Sequence, residues 1–285
     1  MKKWSRKIGM AFILVFAVIG IVFTAVFVGM QLGLTNVRGS SKDRNASFGK
    51  VPTITTENEC LKNNAGKAPL TCAWNETTEW EVVKGGLTKD ELVIKKVAEQ
   101  TGVNPRMIAS VVTPEQLRYF TANRESFKKY FEPLKILSSL TKFSLGISGI
   151  KQDTARDIEN FANDPSSDFY PGDGMADLIA YDEGANKDQV LYDRLTNSHD
   201  HYYSYLYTAL FIKEIEAQWA KAGFDIKDNP EVVVTLFNIG FKASHPNADP
   251  KIAGSTITIG GSNYSFGKLG TLFYRSDELT DIFPR

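Results

Sequence analysis

The chain has 285 residues, and its 33 basic and 33 acidic side chains give a formal net charge of zero. Such a balance lacks the basic footprint of a nucleic-acid-binding protein, so we expect no nucleic-acid partner. No phosphate-binding loop or dinucleotide motif occurs in the sequence, and we expect no cofactor.

The N-terminal segment predicts a transmembrane helix. No charged residue occurs from Ile8 to Met30, and about 23 helical residues at about 1.5 Å each would cross a hydrocarbon core of about 30 Å. A cleaved signal peptide, which usually has a shorter apolar stretch and a small-residue cleavage site, is the alternative. Lysine and arginine precede the span, so the positive-inside rule places residues 1–7 in the cytoplasm and the rest of the chain outside.

The polar residues 31–50 predict a flexible linker, and residues 51–285 form the predicted extracytoplasmic domain. About 250 residues suffice for one domain with a substantial core. The chain has two cysteines, Cys60 and Cys72. An oxidising compartment would permit a disulfide between them, worth about 3 kcal/mol in the chain-entropy model, and two free thiols are the alternative.

Hydrophobic periodicity predicts a mainly α-helical domain. Residues 51–84 have no sustained helical period and indicate a loop-rich entry, after which Gly85-Gly86 should interrupt the chain. Thr88 and Glu91 have the spacing of a capping box, so a helix is expected over 88–101.

The next helix carries the candidate catalytic carboxylate. Asn104 and Pro105 are typical of an N-cap and a first helical position. Pro114 disfavours the helical conformation of the residue before it, so the helix should end or kink just before Glu115. A carboxyl group among apolar neighbours holds its proton nearer neutral pH and can act as a general acid. The alternative for Glu115 is a solvated or helix-capping carboxylate.

The remaining sequence predicts further helices, a long irregular loop over 164–184 and a β-hairpin over 255–266 with a Gly260-Gly261 turn. The further helices are expected at about 124–140, 151–161, 202–222, 229–240 and 269–282.

We expect no metal site. His199 and His201 lack companion ligands at the spacing of a known site, and a hydrated helix start is the preferred interpretation. Residues 173–177 fall short of a calcium-binding loop. The tyrosines between 202 and 207 are either core residues or partly the lining of a sugar groove.

Three short motifs follow one another within this helical pattern: Glu115 at a helix end, Ser144-Leu-Gly146, and Phe237-Asn-Ile-Gly240. Their types and order resemble the lysozyme-like superfamily, with lytic transglycosylases and goose-type lysozymes as the nearest likeness. Tyr205-Leu206 matches a Tyr-Leu pair that precedes the last motif in that family. The resemblance covers residues 88–240 and implies a lysozyme-like helical domain with a small C-terminal β-hairpin.

The resemblance implies that the domain cleaves peptidoglycan glycan strands, with Glu115 as acid and then base. Transglycosylases need only this carboxylate, because a hydroxyl of the sugar itself attacks; Asp168, Asp173 and Asp177 stay open as a second carboxylate. Asn238 could bind an acetamido sugar or cap its own helix. The resemblance implies substrate-binding roles for five residues: Ser144, Gly146, Phe237, Asn238 and Gly240.

The sequence departs from the family pattern at three positions. Gln116 stands where serine is common, Gly149 stands where a glutamine is common, and Phe237 replaces tyrosine. Gln116 and Gly149 favour an alternative function, that of a catalytically inactive relative that binds cell-wall glycan or scaffolds an envelope complex. A single-pass membrane protein with a helical interaction domain and no glycan ligand is a third possibility.

Overall fold

The helices and short hairpins of this chain are seen in a computed structural model that describes residues 72–119 and 144–285, together with residues 10, 14, 16–21, 24 and 48. This part of the chain is mainly α-helical, as the sequence predicts, with two separate two-stranded antiparallel sheets. The α-helices are α1 (Thr78–Lys89), α2 (Glu91–Thr101), α3 (Pro105–Arg118), α4 (Gln152–Ala162), α5 (Lys187–Thr196), α6 (Tyr202–Lys221), α7 (Pro230–Ile239) and α8 (Phe266–Arg275). The strands are β1 (Ser144–Leu145), β2 (Ile150–Lys151), β3 (Thr256–Ile259) and β4 (Ser262–Ser265). Short 3₁₀ turns occupy Trp74–Glu76, Ala176–Ile179 and Phe241–Ala243.

Helix α6 is the central element of the fold. It contacts α2, α3, α4, α5 and α7, and apolar side chains at helical spacing, such as Leu206 and Leu210, are fully buried. Its bounds, and those of α4 and α7, confirm the predicted helices at these positions. Strong periodicity and clear start and stop residues explain this success.

Arg106 attaches the C-terminal segment to the start of α3. Its side chain is fully buried, and burial lowers the pKa of its guanidinium. The group donates five hydrogen bonds, so all of its N–H donors are used. The acceptors are the backbone carbonyl oxygens of Phe273 (2.9 Å), Tyr274 (2.7 Å), Ser276 (2.6 Å), Glu278 (3.0 Å) and Phe283 (2.9 Å).

Helix α3 continues past Pro114 to Arg118, so it does not end before Glu115, which was one of the two predicted effects of the proline. Proline lacks the N–H that would bond to the carbonyl of Ser110. Gly270 of α8 lies against that carbonyl oxygen, which would be 2.5 Å from a Cβ at this position. Close packing of α8 therefore supports the helix where its own hydrogen bond is missing.

The predicted break at Gly85-Gly86 is also wrong, because both glycines lie within α1. The absent side chain of Gly86 makes room for Phe48, whose ring carbon would be 2.4 Å from a Cβ there. Phe48 is fully buried, and its carbonyl accepts a hydrogen bond from the Lys89 ammonium. It belongs to the core, although the sequence assigns it to the linker 31–50.

The predicted capping box does not form, because α2 begins at Glu91 and its N-cap is Asp90, whose side chain caps no helix N–H.

The predicted C-terminal hairpin is confirmed. Strand β3 pairs with β4 around Gly260-Gly261, and the Gly260 carbonyl accepts a 2.7 Å hydrogen bond from the Cys72 backbone N–H.

The last helix is shorter than predicted, since α8 starts at Phe266 and ends at Arg275. Helix α5 and the β1–β2 hairpin were not predicted. The predicted helix at 124–140 lies outside the described residues.

Residues 16–21 are helical, and their large apolar side chains are exposed, including Phe16 (68%) and Ile21 (69%). Among the helices that the structure describes, none has both the length and the apolar character needed to cross a membrane. Most of the span from Ile8 to Met30 lies outside the described residues, so the transmembrane helix stays a prediction.

Replacing Arg106 by methionine is expected to lower the free energy of unfolding by about 3–5 kcal/mol, because buried carbonyls then lose their donors. Arg285 is the matched control, since it also bonds to carbonyls of this segment but its side chain is 49% exposed. Arg285→Met should cost less than about 1 kcal/mol. Urea denaturation of the full chain measures both values, and equal losses would contradict the role given to Arg106.

A buried carboxyl group lies on the face of α6 that meets α4. Glu214 is fully buried, and neither of its oxygens has a hydrogen-bond partner among the described residues. Burial, and then the charge of Asp157, raise the pKa of Glu214 well above its usual value. The folded protein therefore holds this proton more tightly than the unfolded chain does.

The pKa of Glu214 is raised in the folded state, so this group does not reduce the free energy of unfolding at pH values below its pKa in the unfolded chain. As the pH rises above that unfolded-state pKa, the reduction in the free energy of unfolding grows. Glu214→Met should thus increase the free energy of unfolding by about 1–3 kcal/mol at pH 8 and by less at pH 4. Denaturant titrations at the two pH values test this. The same substitution at exposed Glu183 should have no pH-dependent effect, and a Glu214→Met gain that is equal at both pH values would refute the assignment.

Candidate active site

Glu115 lies in the last turn of α3 with its side chain 11% exposed. The residues on either side of it in sequence, Pro114 and Gln116, are buried. The interpretation of Glu115 as a freely solvated carboxylate is therefore wrong. The sequence correctly predicts a carboxylate near the end of a largely buried helix.

The turn between β1 and β2 covers this carboxylate. Residues 146–149 connect the two strands, in which Ser144 pairs with Lys151 and Leu145 pairs with Ile150. Gly149 has a φ of +63°, and a Cβ there would be 2.0 Å from Glu115 Oε1. Only glycine fits this close approach without displacing the carboxylate.

Hydrogen bonds from two helices hold the turn in place. On the α3 side, the buried Gln116 amide donates to the carbonyl of Ile147. On the α6 side, the Ser148 hydroxyl donates a 3.0 Å hydrogen bond to the carbonyl of Ser204. The turn is thus fixed between the end of α3 and the beginning of α6.

Gly146, the glycine of the predicted Ser144-Leu-Gly146 motif, belongs to the same turn but packs against other residues. Gly146 has a φ of +64°, and a Cβ there would be 2.0 Å from the carbonyl oxygen of Leu195 and 2.7 Å from Ser204 Oγ. Its packing against α5 and α6 sets the position of the turn. Ser144 contributes to the site through its backbone pairing in β1.

Arg118 binds the candidate catalytic carboxylate directly. Its Nη2 donates to Glu115 Oε1 at 2.5 Å, and the Arg118 side chain is 20% exposed. The guanidinium also lies 6.0 Å from the ring centre of Phe266, at the start of α8. The three-residue spacing on one helix face could have indicated this ion pair from the sequence.

The third motif lies on α7 and has a structural role of its own. Asn238 Oδ1 accepts a 2.8 Å hydrogen bond from the Ser255 backbone N–H and so attaches α7 to the segment before β3. Its Nδ2 makes no hydrogen bond in the part of the chain that the structure describes. The helix ends at Gly240, with a φ of +88°.

Phe237 packs edge-on against Phe211 of α6, with ring centres 4.8 Å apart, and is partly exposed. Neither Phe237 nor Asn238 contacts Glu115 among the interactions seen in the described chain. They approach it indirectly, because Gly254 lies beside both Asn238 and Phe266, and Phe266 lies beside Arg118. The structure thus places the turn that follows the second motif against Glu115, and the third motif beside the neighbours of Arg118.

Tyr205 and His201 form a buried polar cluster with Asp90. Asp90 Oδ2 lies 2.6 Å from His201 Nδ1 and accepts a 2.9 Å hydrogen bond from the Tyr205 hydroxyl. Burial and the Asp90 charge raise the pKa of Tyr205 well above its usual value. The prediction of a hydrated helix start is therefore wrong for His201, whose position in the fold is structural.

None of the three candidates for a second carboxylate is seen in contact with Glu115 in the described chain. Asp168 pairs with Lys221 at 2.6 Å, Asp173 accepts a 2.6 Å hydrogen bond from Tyr170, and Asp177 is exposed. Among residues 72–119 and 144–285 no group of three or more histidine, cysteine, aspartate or glutamate side chains is arranged to hold a metal ion. The sequence analysis did not identify Glu214 and Glu216 as buried carboxyl groups with raised pKa values. Neither residue belongs to a recognisable sequence motif.

Cys72 is buried and disulfide-bonded. Cys60 lies outside the described residues, and its pairing with Cys72 stays a prediction.

No protein-family model, curated protein or solved structure matches this chain significantly.

Gly149→Ala is expected to destabilise the domain by about 1–3 kcal/mol and to displace the Glu115 carboxylate, because the new methyl group would occupy its position. Gly184→Ala is the matched control: its φ is +75°, but no atom lies within 4 Å of a Cβ there. Gly184→Ala should therefore lower the free energy of unfolding by about 1 kcal/mol, through backbone strain alone. Thermal and urea unfolding compare the two, and equal losses would contradict the close contact between Gly149 and Glu115.

Proposed function

We propose that this protein is a membrane-anchored enzyme that cleaves peptidoglycan glycan strands outside the membrane, with Glu115 as general acid and then base. The observation that carries the proposal is the position of Glu115. Its carboxylate lies in the last turn of a buried helix, is 11% exposed, and is covered by the Gly146–Gly149 turn that follows the second motif. A partly buried carboxyl group is a suitable candidate for the acid of a glycosidic cleavage.

Cleavage would begin when the Glu115 carboxyl group gives its proton to the glycosidic oxygen as the bond to the anomeric carbon breaks. A hydroxyl of the same sugar then bonds to the anomeric carbon and returns its proton to the Glu115 carboxylate. One carboxyl group therefore suffices for this intramolecular reaction. Attack by water in place of the sugar hydroxyl would give hydrolysis instead.

Two further observations support the proposal. Asn238 uses its Oδ1 within the fold, which leaves its Nδ2 as a donor for a carbonyl group such as that of an acetamido sugar. The helical residues 16–21 expose large apolar side chains, which suits a membrane anchor. The domain would then work on the outer face of the membrane.

Arg118 favours a second candidate, a protein that binds cell-wall glycan without cleaving it. A general acid must bring a carboxyl oxygen to the glycosidic oxygen, whereas Glu115 Oε1 is held by the Arg118 guanidinium at 2.5 Å. Catalysis therefore requires that Arg118 move away from Glu115 when glycan binds. A binding protein would have no such requirement.

Incubating the full chain with purified peptidoglycan sacculi, followed by mass analysis of the soluble products, tests the proposal. We expect anhydro-sugar products if the sugar hydroxyl attacks and reducing ends if water attacks. Glu115→Gln should lower the rate at least about 100-fold, because the amide cannot supply the proton. Glu183→Gln, the same change in an exposed loop, should leave the rate unaltered.

Sedimentation of the protein with the sacculi distinguishes the cleaving enzyme from the glycan-binding protein. Products that persist in Glu115→Gln would overturn the assigned mechanism. Co-sedimentation without products from the unaltered chain would favour the glycan-binding protein, and absence of both would refute both candidates.

A further inference from the structure

A second concave site lies at the other end of α3. A cavity of about 530 Å³ is bounded by the end of α2, the start of α3, the later part of α6, the loop before α7 and helix α8. This volume lies in the range of small-ligand sites. Asn104 and Glu115 are 11 positions apart on α3, about 16 Å at 1.5 Å per residue, so the cavity is separate from the candidate active site.

The cavity combines an apolar wall with an excess of negative charge. Ala98, Val103 and Met107 supply buried apolar surface. The ionisable side chains that line it, apart from Tyr274, are three carboxylates and one ammonium: Glu99, Glu216, Asp228 and Lys227. The residues from α2 also belong to its C-terminal end, where the helix dipole is negative.

Glu216 is the carboxylate best placed to recognise a ligand. It is only partly exposed, and it makes no hydrogen bond or ion pair within the described chain. Burial raises the pKa of Glu216 to about 7, with Lys213 and Lys227 acting in the opposite direction and Asp225 and Asp228 adding to the increase. Its carboxyl group thus has no direct partner among the described residues.

The start of α3 offers little to an anion. Pro105 has no N–H, the N–H of Arg106 donates to Asn104 Oδ1 at 2.8 Å, and the N–H of Met107 donates to the Asn104 carbonyl at 2.9 Å. The helix terminus that would otherwise attract a phosphate or carboxylate is therefore already satisfied. An anionic ligand would also face the three carboxylates.

We propose that this cavity binds a primary ammonium group carried on a short apolar chain, with the Glu216 carboxylate as its partner and the wall at Val103 and Met107 around the chain. The ammonium group satisfies the unpaired carboxylate, and the methylene groups cover the apolar wall. The site requires no activity at Glu115 and is independent of the function proposed above.

Titration of n-butylammonium into the full chain in a neutral detergent tests this site, with ¹³C-methyl labels on the methionines. The Met107 methyl resonance should shift and saturate, whereas that of Met175, in the long loop, should not. Glu216→Gln should weaken binding about tenfold, since a charge-assisted hydrogen bond is lost. Glu91→Gln, at the opposite end of α2, should leave the affinity unchanged.

The pH dependence gives an independent check. Binding of the cation requires ionised Glu216, so affinity should rise severalfold from pH 6 to pH 8. Equal binding of 1-butanol, tighter binding of butyrate, or an unchanged affinity in Glu216→Gln that keeps its thermal stability would overturn the proposal. Absence of any Met107 shift at saturating n-butylammonium would do the same.

Discussion

The five hydrogen bonds of Arg106 set the position of the C-terminal segment, on which much of the remaining packing depends. They hold the end of α8 at the start of α3. Helix α8 then meets both α3 and α7 at Gly270, where neither neighbour leaves room for a side chain. Near its other end Phe266 lies beside Arg118. Arg106, a buried cation without a carboxylate partner in the described chain, therefore links the start of α3 to its end through α8. The position of Arg118 beside Glu115 in the candidate active site depends in part on this packing.

The sequence predicts elements that are decided locally. Helix α6 has a long apolar face, and the β3–β4 hairpin has a glycine pair between alternating residues, so neither needs knowledge of distant partners. The errors at Gly86 and Pro114 have one cause. Each residue is unfavourable in an isolated helix, yet each is accommodated by a neighbour distant in sequence, Phe48 for the first and Gly270 for the second.

In the candidate site, too, the sequence predicted some features but not those that depend on residues distant in sequence. The motifs predicted that Glu115 and the Ser144–Gly146 region belong together, and the structure places the turn against the carboxylate. They could not predict how the turn is held. Gln116 and Gly149, two of the three departures from the motif pattern in the sequence analysis, both serve this turn: Gln116 binds it, and Gly149 leaves space for the Glu115 carboxylate.

Phe48 has a mechanical consequence. Among the described residues it is the point at which the N-terminal part of the chain enters the core, beside Gly86 and with its ring centre 6.3 Å from that of His201. Tension on the preceding chain would therefore be transmitted at the junction of α1 and α2, close to the Asp90 cluster.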